Sequence, residues 1–478
     1  MVFSSQLFLF YFLPLALLLY YAAPVRARHL LLTLMSYVFY GWANPLFTVL
    51  MLVSTLIDYV AGLVIAGPGT PQLPAGGPRT RKQRAAVILS IVSNLTLLGF
   101  FKYFNFALDN VNALLEAIGG PAGRLDIALR ITLPLGISFY TFQSMSYTID
   151  VYRGHAQAIR RFVDFACYVS MFPQLVAGPI IRFSEVADQM RQRTHTMEKF
   201  ARGAAFLCLG LAKKVLLANP CGKIADTVFG AAGAGVLDAW YGVTAYAFQI
   251  YFDFSGYSDM AIGLGLMLGF VFAKNFDSPY HSASITEFWR RWHISLSTWL
   301  RDYLYIPLGG NRATSGRVYV NLALVMLLGG LWHGAAWNFV IWGALHGGVL
   351  ALERFAGKRP LYYRWPKPLR VAATFVLVLI SWVFFRAPDL PSAWAYLKNL
   401  FGAGLTPEGA RLIEGLIYQP YYLLIFAVSA IVTWGAPQTW DWTRRLPGWK
   451  IILLLAVFVI AVVTLATQTF NPFIYFIF

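Results

Sequence analysis

Charge is scarce in this chain. Only 12% of its 478 residues are Asp, Glu, Lys or Arg, while 58% are hydrophobic. A soluble globular protein carries roughly 25% charged residues, so an ordinary water-soluble domain is excluded. Acids are the scarcer sign, 21 against 38 basic residues. Cysteine is nearly missing: Cys167, Cys208 and Cys221 have no metal-ligand spacing and argue against a disulfide framework. No G-x-S-x-G turn, phosphate-binding loop, dinucleotide fingerprint or H-E-x-x-H pair occurs. Covalent serine chemistry, nucleotide hydrolysis and zinc hydrolysis therefore lack a motif, and no bound metal or cofactor is expected. No repeat of fixed period and no separate soluble domain are evident.

What is present is a series of apolar runs near 20 residues, continuous rather than alternating. Only helices or closed barrels satisfy the backbone in lipid, and continuous runs favour helices over a barrel. The fold class expected is an all-α polytopic membrane protein with eleven or twelve transmembrane helices. The spans fall near 6–23, 29–43, 46–66, 85–103, 129–150, 203–218, 240–271, 318–332, 335–353, 371–386, 420–437 and 451–470. The first run lacks a positive leader, so it reads as a retained helix rather than a cleaved signal.

A net charge of +17 could suggest nucleic acid, but the basic residues cluster in every second loop, after spans one, three, five, seven, nine and eleven. That is a topology signal: it puts those loops in the cytoplasm and the N-terminus outside. Anionic headgroups are natural partners for the clusters, and no nucleic-acid partner is expected. Residues 164–184, broken by Pro173, Gly178 and Pro179, read as a re-entrant hairpin, because irregular backbone at membrane depth must be surrounded by protein or a watery cavity. Residues 273–317 read as amphipathic helices lying at the interface or dipping into the core. Residues 67–82, rich in Pro and Gly, read as a flexible loop.

Candidate site residues stand out against this background. His333, in Leu331-Trp332-His333-Gly334, lies within a long apolar run, where a titratable group is costly and usually functional. Its reading is a general base that removes a proton from a hydroxyl attacking an acyl carbonyl. The plainer alternative is a helix-end histidine bonded to a backbone carbonyl. His293 follows Arg290-Arg291-Trp292 and could instead be an interfacial anchor. Arg290 and Arg291 could hold a phosphorylated or carboxylated donor, or meet lipid phosphate. Asp253 and Asp259, read as sharing one helical face, could orient a histidine, bind substrate or belong to a packing network. Trp332 marks the shaped surroundings of His333. His346 and the Arg301–Asp302 pair read as structural.

Several of these blocks together resemble the membrane-bound O-acyltransferase family. They are Met1 to Ser5, Leu135 to Tyr140, Ala177-Gly178-Pro179, Tyr251 to Gly263, Ser284 to Tyr305, Gly309 to Arg312 and Leu327 to Gly334. The long blocks carry most of the specificity, and the last 120 residues match mainly in hydropathy. The resemblance implies a ring of helices around a thin central catalytic region, with His333 and His293 as the catalytic pair and His333 essential.

It further implies transfer of acyl groups from a cytoplasmic donor, with acetyl-coenzyme A the expected one, towards an exported polysaccharide. Periplasmic acetyltransferase proteins would complete the transfer. The chain is expected to be one integral membrane domain over 1–478, with a core at 85–353 and peripheral helices at 1–66 and 371–470, in a bacterial inner membrane. Alginate, cellulose and peptidoglycan stay open as acceptors, as does D-alanyl transfer. A proton-coupled transporter or flippase using the same buried histidines is the rival from another class.

Overall fold

The computed structural model describes every residue except 70–71, 121–124, 126–129, 232, 313, 405–409, 469 and 475–478. The described residues contain helices, turns and irregular backbone, with no strand among them. The chain divides into two compact units. One comprises Met1, Leu7–His195 and Leu268–Phe272; the other comprises Val2–Gln6, Thr196–Met267 and Ala273–Phe478.

The first unit holds α1 (Leu13–Ala22, preceded by a wide turn Phe8–Phe12), α2 (Arg28–Gly41), α3 (Pro45–Ala66), α4 (Arg81–Gly119), α5 (Ile137–Arg153), α6 (Phe162–Ser170), α7 (Phe172–Leu175) and α8 (Phe183–Arg191). Asp58 on α3 is fully buried. It survives there because its neighbours satisfy it: Ser90 Oγ donates at 2.6 Å, Asn94 Nδ2 donates to both oxygens at 2.8–2.9 Å, and Ser144 Oγ also donates. A carboxylate in apolar surroundings needs such partners, and here they tie α3 to α4 and α5.

Residues 162–182 form a helix, a break at Met171 and a short second helix, buried throughout from Phe165 to Ile181. Tyr168 OH donates to the Ile181 carbonyl across the break at 3.1 Å. The break expected at Pro173 and Gly178 is therefore present, in a segment enclosed by protein. Gly136 caps α5 in the left-handed region (φ 74°), and a Cβ there would lie 2.6 Å from the Leu175 carbonyl oxygen. Both conditions require glycine.

Three expectations need correction. The span at 129–150 begins as a helix only at Ile137, because Pro134 and Gly136 break the chain before it; residue 129 lies outside the described residues. The span at 85–103 is part of a 39-residue helix, started by a Thr80–Gln83 capping box and stopped at Gly120. The loop expected to be flexible at 67–82 is tied down where it is described. Gln72 Nε2 donates to the Gly154 carbonyl and Arg79 Nε to the Tyr152 carbonyl, each at 2.6 Å.

The second unit runs α9 (Met197–Ala212), then α10 (Asn219–Phe229) through a wide-turn stretch Lys213–Ala218, then α11 (Val236–Met267), α12 (Ile285–Arg291), α13 (Ile294–Leu300), α14 (Ser315–His333), α15 (Trp337–Phe355), α16 (Lys367–Arg386), α17 (Leu390–Leu400), α18 (Ala410–Ile417), α19 (Pro420–Gly435), α20 (Thr439–Trp442) and α21 (Gly448–Thr467). Helices α9 and α11 pack backbone to backbone. A Cβ on Gly203 or Gly263 would come within 2.5 Å of the other's carbonyl oxygen, and one turn pair further on Gly210 and Gly256 meet in the same way. Small residues facing each other are how helices approach closely in lipid, where burial of apolar surface gives no drive.

By length and composition, α3, α4, α16 and α21 can each cross a membrane, and Phe8–Ala22 and Pro420–Gly435 are shorter apolar helices. Within the amphipathic stretch 273–317, burial is uneven: Arg301, Ile306, Asn311 and Arg312 are exposed, while part of the segment before them is enclosed. Phe288, Trp292 and Leu296 are at most 2% exposed, so its aromatic face goes into the core.

Candidate active site

Two local devices fix His293. It stands between α12 and α13 as the cap of the latter, with φ 43° and ψ 56°. A non-glycine residue in that region is strained, and such strain concentrates at functional positions. The flanking backbone is clamped by the segment 275–277. Asp277 N donates to the Arg291 carbonyl and Ile294 N to the Asn275 carbonyl, both at 2.9 Å. The Asn275 amide oxygen also accepts from Ser295 N at 3.1 Å and Ser295 Oγ at 2.9 Å. Helix α12 is held at its start by buried Glu353, which accepts from Ile285 N and Thr286 N at 2.8–2.9 Å. A carboxylate at a helix N-terminus complements the exposed amides and the dipole.

His333 ends α14. Its imidazole lies 5.0 Å from the Trp332 ring, 5.2 Å from Trp342 and 5.2 Å from Phe385, between ring centroids. The His293 ring is 6.4 Å away, and Trp332 lies beside both histidines, 5.9 Å from His293. The helix carrying His333 presses on α15: a Cβ on Gly330 would meet the Phe339 carbonyl oxygen at 2.2 Å, and one on Gly343 the Met326 carbonyl oxygen at 2.4 Å.

Both imidazoles are buried. His293 is 0% exposed, and among the described residues neither of its nitrogens has a hydrogen-bond partner. A buried imidazole without partners costs stability, which a bound group could recover. His333 forms part of the wall of a cavity of about 470 Å³, within the usual range for small-molecule sites. The wall is mostly apolar, with Arg290, Ser297, Arg301, Tyr305 and Trp342 among its polar members. The Trp342 indole N–H is buried and has no acceptor among the described residues.

The other candidates scatter. Arg290 is exposed and reaches the cavity wall. Its neighbour Arg291 instead pairs with Glu287 at 2.8 Å and donates to the Asp277 carbonyl at 3.1 Å. Asp253 and Asp259 do not share a face, because six residues rotate a helix through about 600°. Among the described residues, neither is hydrogen-bonded to a histidine. Asp253 Oδ1 lies 2.9 Å from the Lys214 ammonium and its Oδ2 accepts from Ile474 N, while Asp259 pairs with Lys213 at 2.7 Å and accepts from Thr439 Oγ1.

His346 has both nitrogens occupied. Trp289 Nε1 donates to its Nδ1 at 3.3 Å, and its Nε2 lies 3.1 Å from Ser381 Oγ. That hydroxyl already donates to the Val378 carbonyl, so His346 Nε2 is the donor and the tautomer is fixed. Sequence reasoning missed Asn275, Glu353 and Trp342. Among the described residues, no group of three or more His, Cys, Asp or Glu could hold a metal ion.

The described residues thus bring two buried histidines together beside an apolar cavity, and the chain belongs to the membrane-bound O-acyltransferase family. The family's sequence profile matches residues 153–385, which include both histidines. Among curated relatives, the chain is 52% identical over 404 residues to "Probable alginate O-acetylase AlgI" of Azotobacter vinelandii, covering 84% of this chain and 79% of that one. It is 45% identical to the protein of the same name from Pseudomonas putida (strain KT2440) over the full length of both. It is also 38% identical to "Peptidoglycan O-acetyltransferase" of Helicobacter pylori, over 84% of this chain and 80% of that one. The chain is accordingly a multi-pass membrane O-acyltransferase, and the transporter alternative falls.

Proposed function

We propose that the chain moves acetyl groups from acetyl-coenzyme A in the cytoplasm across a bacterial inner membrane, for O-acetylation of an exported polysaccharide such as alginate, with His333 as general base. The observation that carries this is the meeting of two histidines from separate sequence blocks, ring centroids 6.4 Å apart, with His333 in the wall of the cavity. The names of the relatives support the acceptor class.

In the proposed step, the acceptor hydroxyl oxygen forms a bond to the thioester carbonyl carbon while its proton passes to the His333 imidazole. The tetrahedral intermediate then breaks its C–S bond, and the departing thiolate takes that proton. His293 positions a reacting group from its clamped turn. The unpartnered Trp342 N–H offers a donor for the carbonyl oxygen as it gains charge. Arg290 and Arg301 at the cavity wall suit the phosphates of the donor. Periplasmic acetyltransferase proteins would receive the group or complete its transfer. The whole chain acts as one domain in this reading, with a core at 85–353, peripheral helices at 1–66 and 371–470, and the N-terminus outside.

Reconstitution in liposomes with labelled acetyl-coenzyme A tests the proposal. His333→Ala and His333→Gln are each expected to lower acetyl transfer about 10²–10⁴-fold, the usual worth of a general base, with protein level and monodispersity unchanged. Transfer at the wild-type rate in either variant would remove His333 from the chemistry.

A further inference from the structure

The first unit contains a second concave site, unrelated to the histidine pair. It is a cavity of about 650 Å³ whose wall includes Arg26, Arg28, Arg160, Arg161, Arg191 and Arg193. His29 and His195 also line it, and Asp164 is the single acid in the wall. Six guanidinium charges therefore face one carboxylate. That carboxylate is already engaged: its Oδ1 lies 2.7 Å from His29 Nδ1 and its Oδ2 3.9 Å from Arg161 Nε.

The floor of this site is pre-arranged. Arg193 NH1 donates to His29 Nε2 at 2.8 Å, its NH2 donates to Tyr20 OH at 2.7 Å, and its guanidinium lies 4.2 Å from the centre of the Phe270 ring. Tyr20 OH in turn lies 3.0 Å from His195 Nε2 and donates to the Leu268 carbonyl. The rim is different: Arg26, Arg160, Arg161 and Arg191 are exposed, and Arg26 has no hydrogen bond or ion pair among the described residues. Arg160 donates to the Gly67 carbonyl and Arg191 to Gln157, which holds two of the rim charges in place, and an anion would relieve the mutual repulsion of the cluster. A cleft lined by one sign of charge also concentrates counter-ions.

We infer that this cavity binds a phosphate-bearing group. Guanidinium forks match the oxygens of phosphate in paired hydrogen bonds, and a half-enclosed pocket of this volume admits a phosphate together with its substituent. The same chemistry is offered by the headgroup of an anionic phospholipid and by a soluble phosphate or pyrophosphate compound. The site is separate from the acyl-transfer reading and stands or falls without it.

The purified full-length chain tests this in two arms. Native mass spectrometry compares retention of phosphatidylglycerol with that of phosphatidylcholine, and calorimetry in detergent titrates inorganic pyrophosphate. Preferential retention of phosphatidylglycerol identifies the lipid source, and saturable pyrophosphate binding the soluble one. In either arm the double variant Arg26→Gln/Arg161→Gln is expected to weaken binding about fivefold per arginine removed. Arg26→Lys/Arg161→Lys, which keeps the charge without the fork, should fall between it and wild type. Arg359→Gln/Arg364→Gln, an equal charge change on exposed residues of the other unit, should leave binding unaltered. Absence of binding in both arms, or an equal loss in the Arg359/Arg364 control, overturns the inference.

Discussion

His293 shows how much a single position can hold. Its side chain is sealed from solvent, and its backbone adopts a left-handed turn that glycine and asparagine enter more easily than other residues. These two demands separate by mutation. His293→Asn keeps a residue suited to the turn while removing the imidazole. It should melt close to wild type in detergent and still transfer acetyl slowly. His293→Ala loses activity too and should be less stable than His293→Asn by about 1 kcal/mol, the lower end of the cost of a left-handed L-residue. A wild-type rate in His293→Asn would show that the turn matters and the ring does not. His346 makes the contrast: another buried imidazole, but with both nitrogens spoken for by Trp289 and Ser381. Both imidazoles are buried, and hydrogen-bond occupancy is what separates His293 from His346.

At the scale of elements, the turn between α12 and α13 depends on Asn275, 20 residues before Ser295. Asn275 does not contact the cavity described above, so it is a positioning residue acting through Ser295 and Ile294. Asn275→Leu should lower kcat about 10²-fold, the effect of a small misplacement of a reacting group, while the KM for the donor holds. Ser295→Ala should be milder, since its backbone N–H still reaches the Asn275 oxygen. A purely KM effect, or equal damage from both variants, would argue for general destabilisation instead.

This dependence also explains what could be read from the sequence. The long apolar helices are announced by their runs, whereas the start of α4 after Thr80 and the short helices α8, α17 and α20 fall outside the expected spans, and α5 starts later than its span, after Gly136. The histidines are announced by chemistry that does not belong in an apolar run. Asn275 and Glu353 are not announced, because an amide 20 residues away and an acid 68 residues away leave no periodic trace. The pairing of Asp253 and Asp259 with consecutive lysines on the neighbouring helical stretch was hidden for the same reason.

For the whole molecule, the alternation of basic loops predicts a topology that reagents can check. The short loop after α2 is expected outside and the loop after α3 in the cytoplasm. Ala43 and Ala75 are exposed in these two loops, while native Cys167 and Cys221 are 0% exposed. A membrane-impermeant maleimide should label Ala43→Cys in intact spheroplasts and Ala75→Cys only after the membrane is opened. The opposite pattern would invert the chain and put the donor on the wrong side.

The buried pair of Lys214 and Asp253 has a consequence for how the protein is made. The Lys214 ammonium donates to the Pro472 carbonyl and Asp253 accepts from Ile474 N, a residue 221 positions later in the chain. At roughly 5–20 residues per second of synthesis, Asp253 is made about 10–45 s before that amide exists. During the interval the two charges have only each other, or whatever insertion machinery shields them. Proofreading by the cell has its clearest opportunity in that window, and polypeptides stalled before residue 472 should be the ones membrane proteases remove.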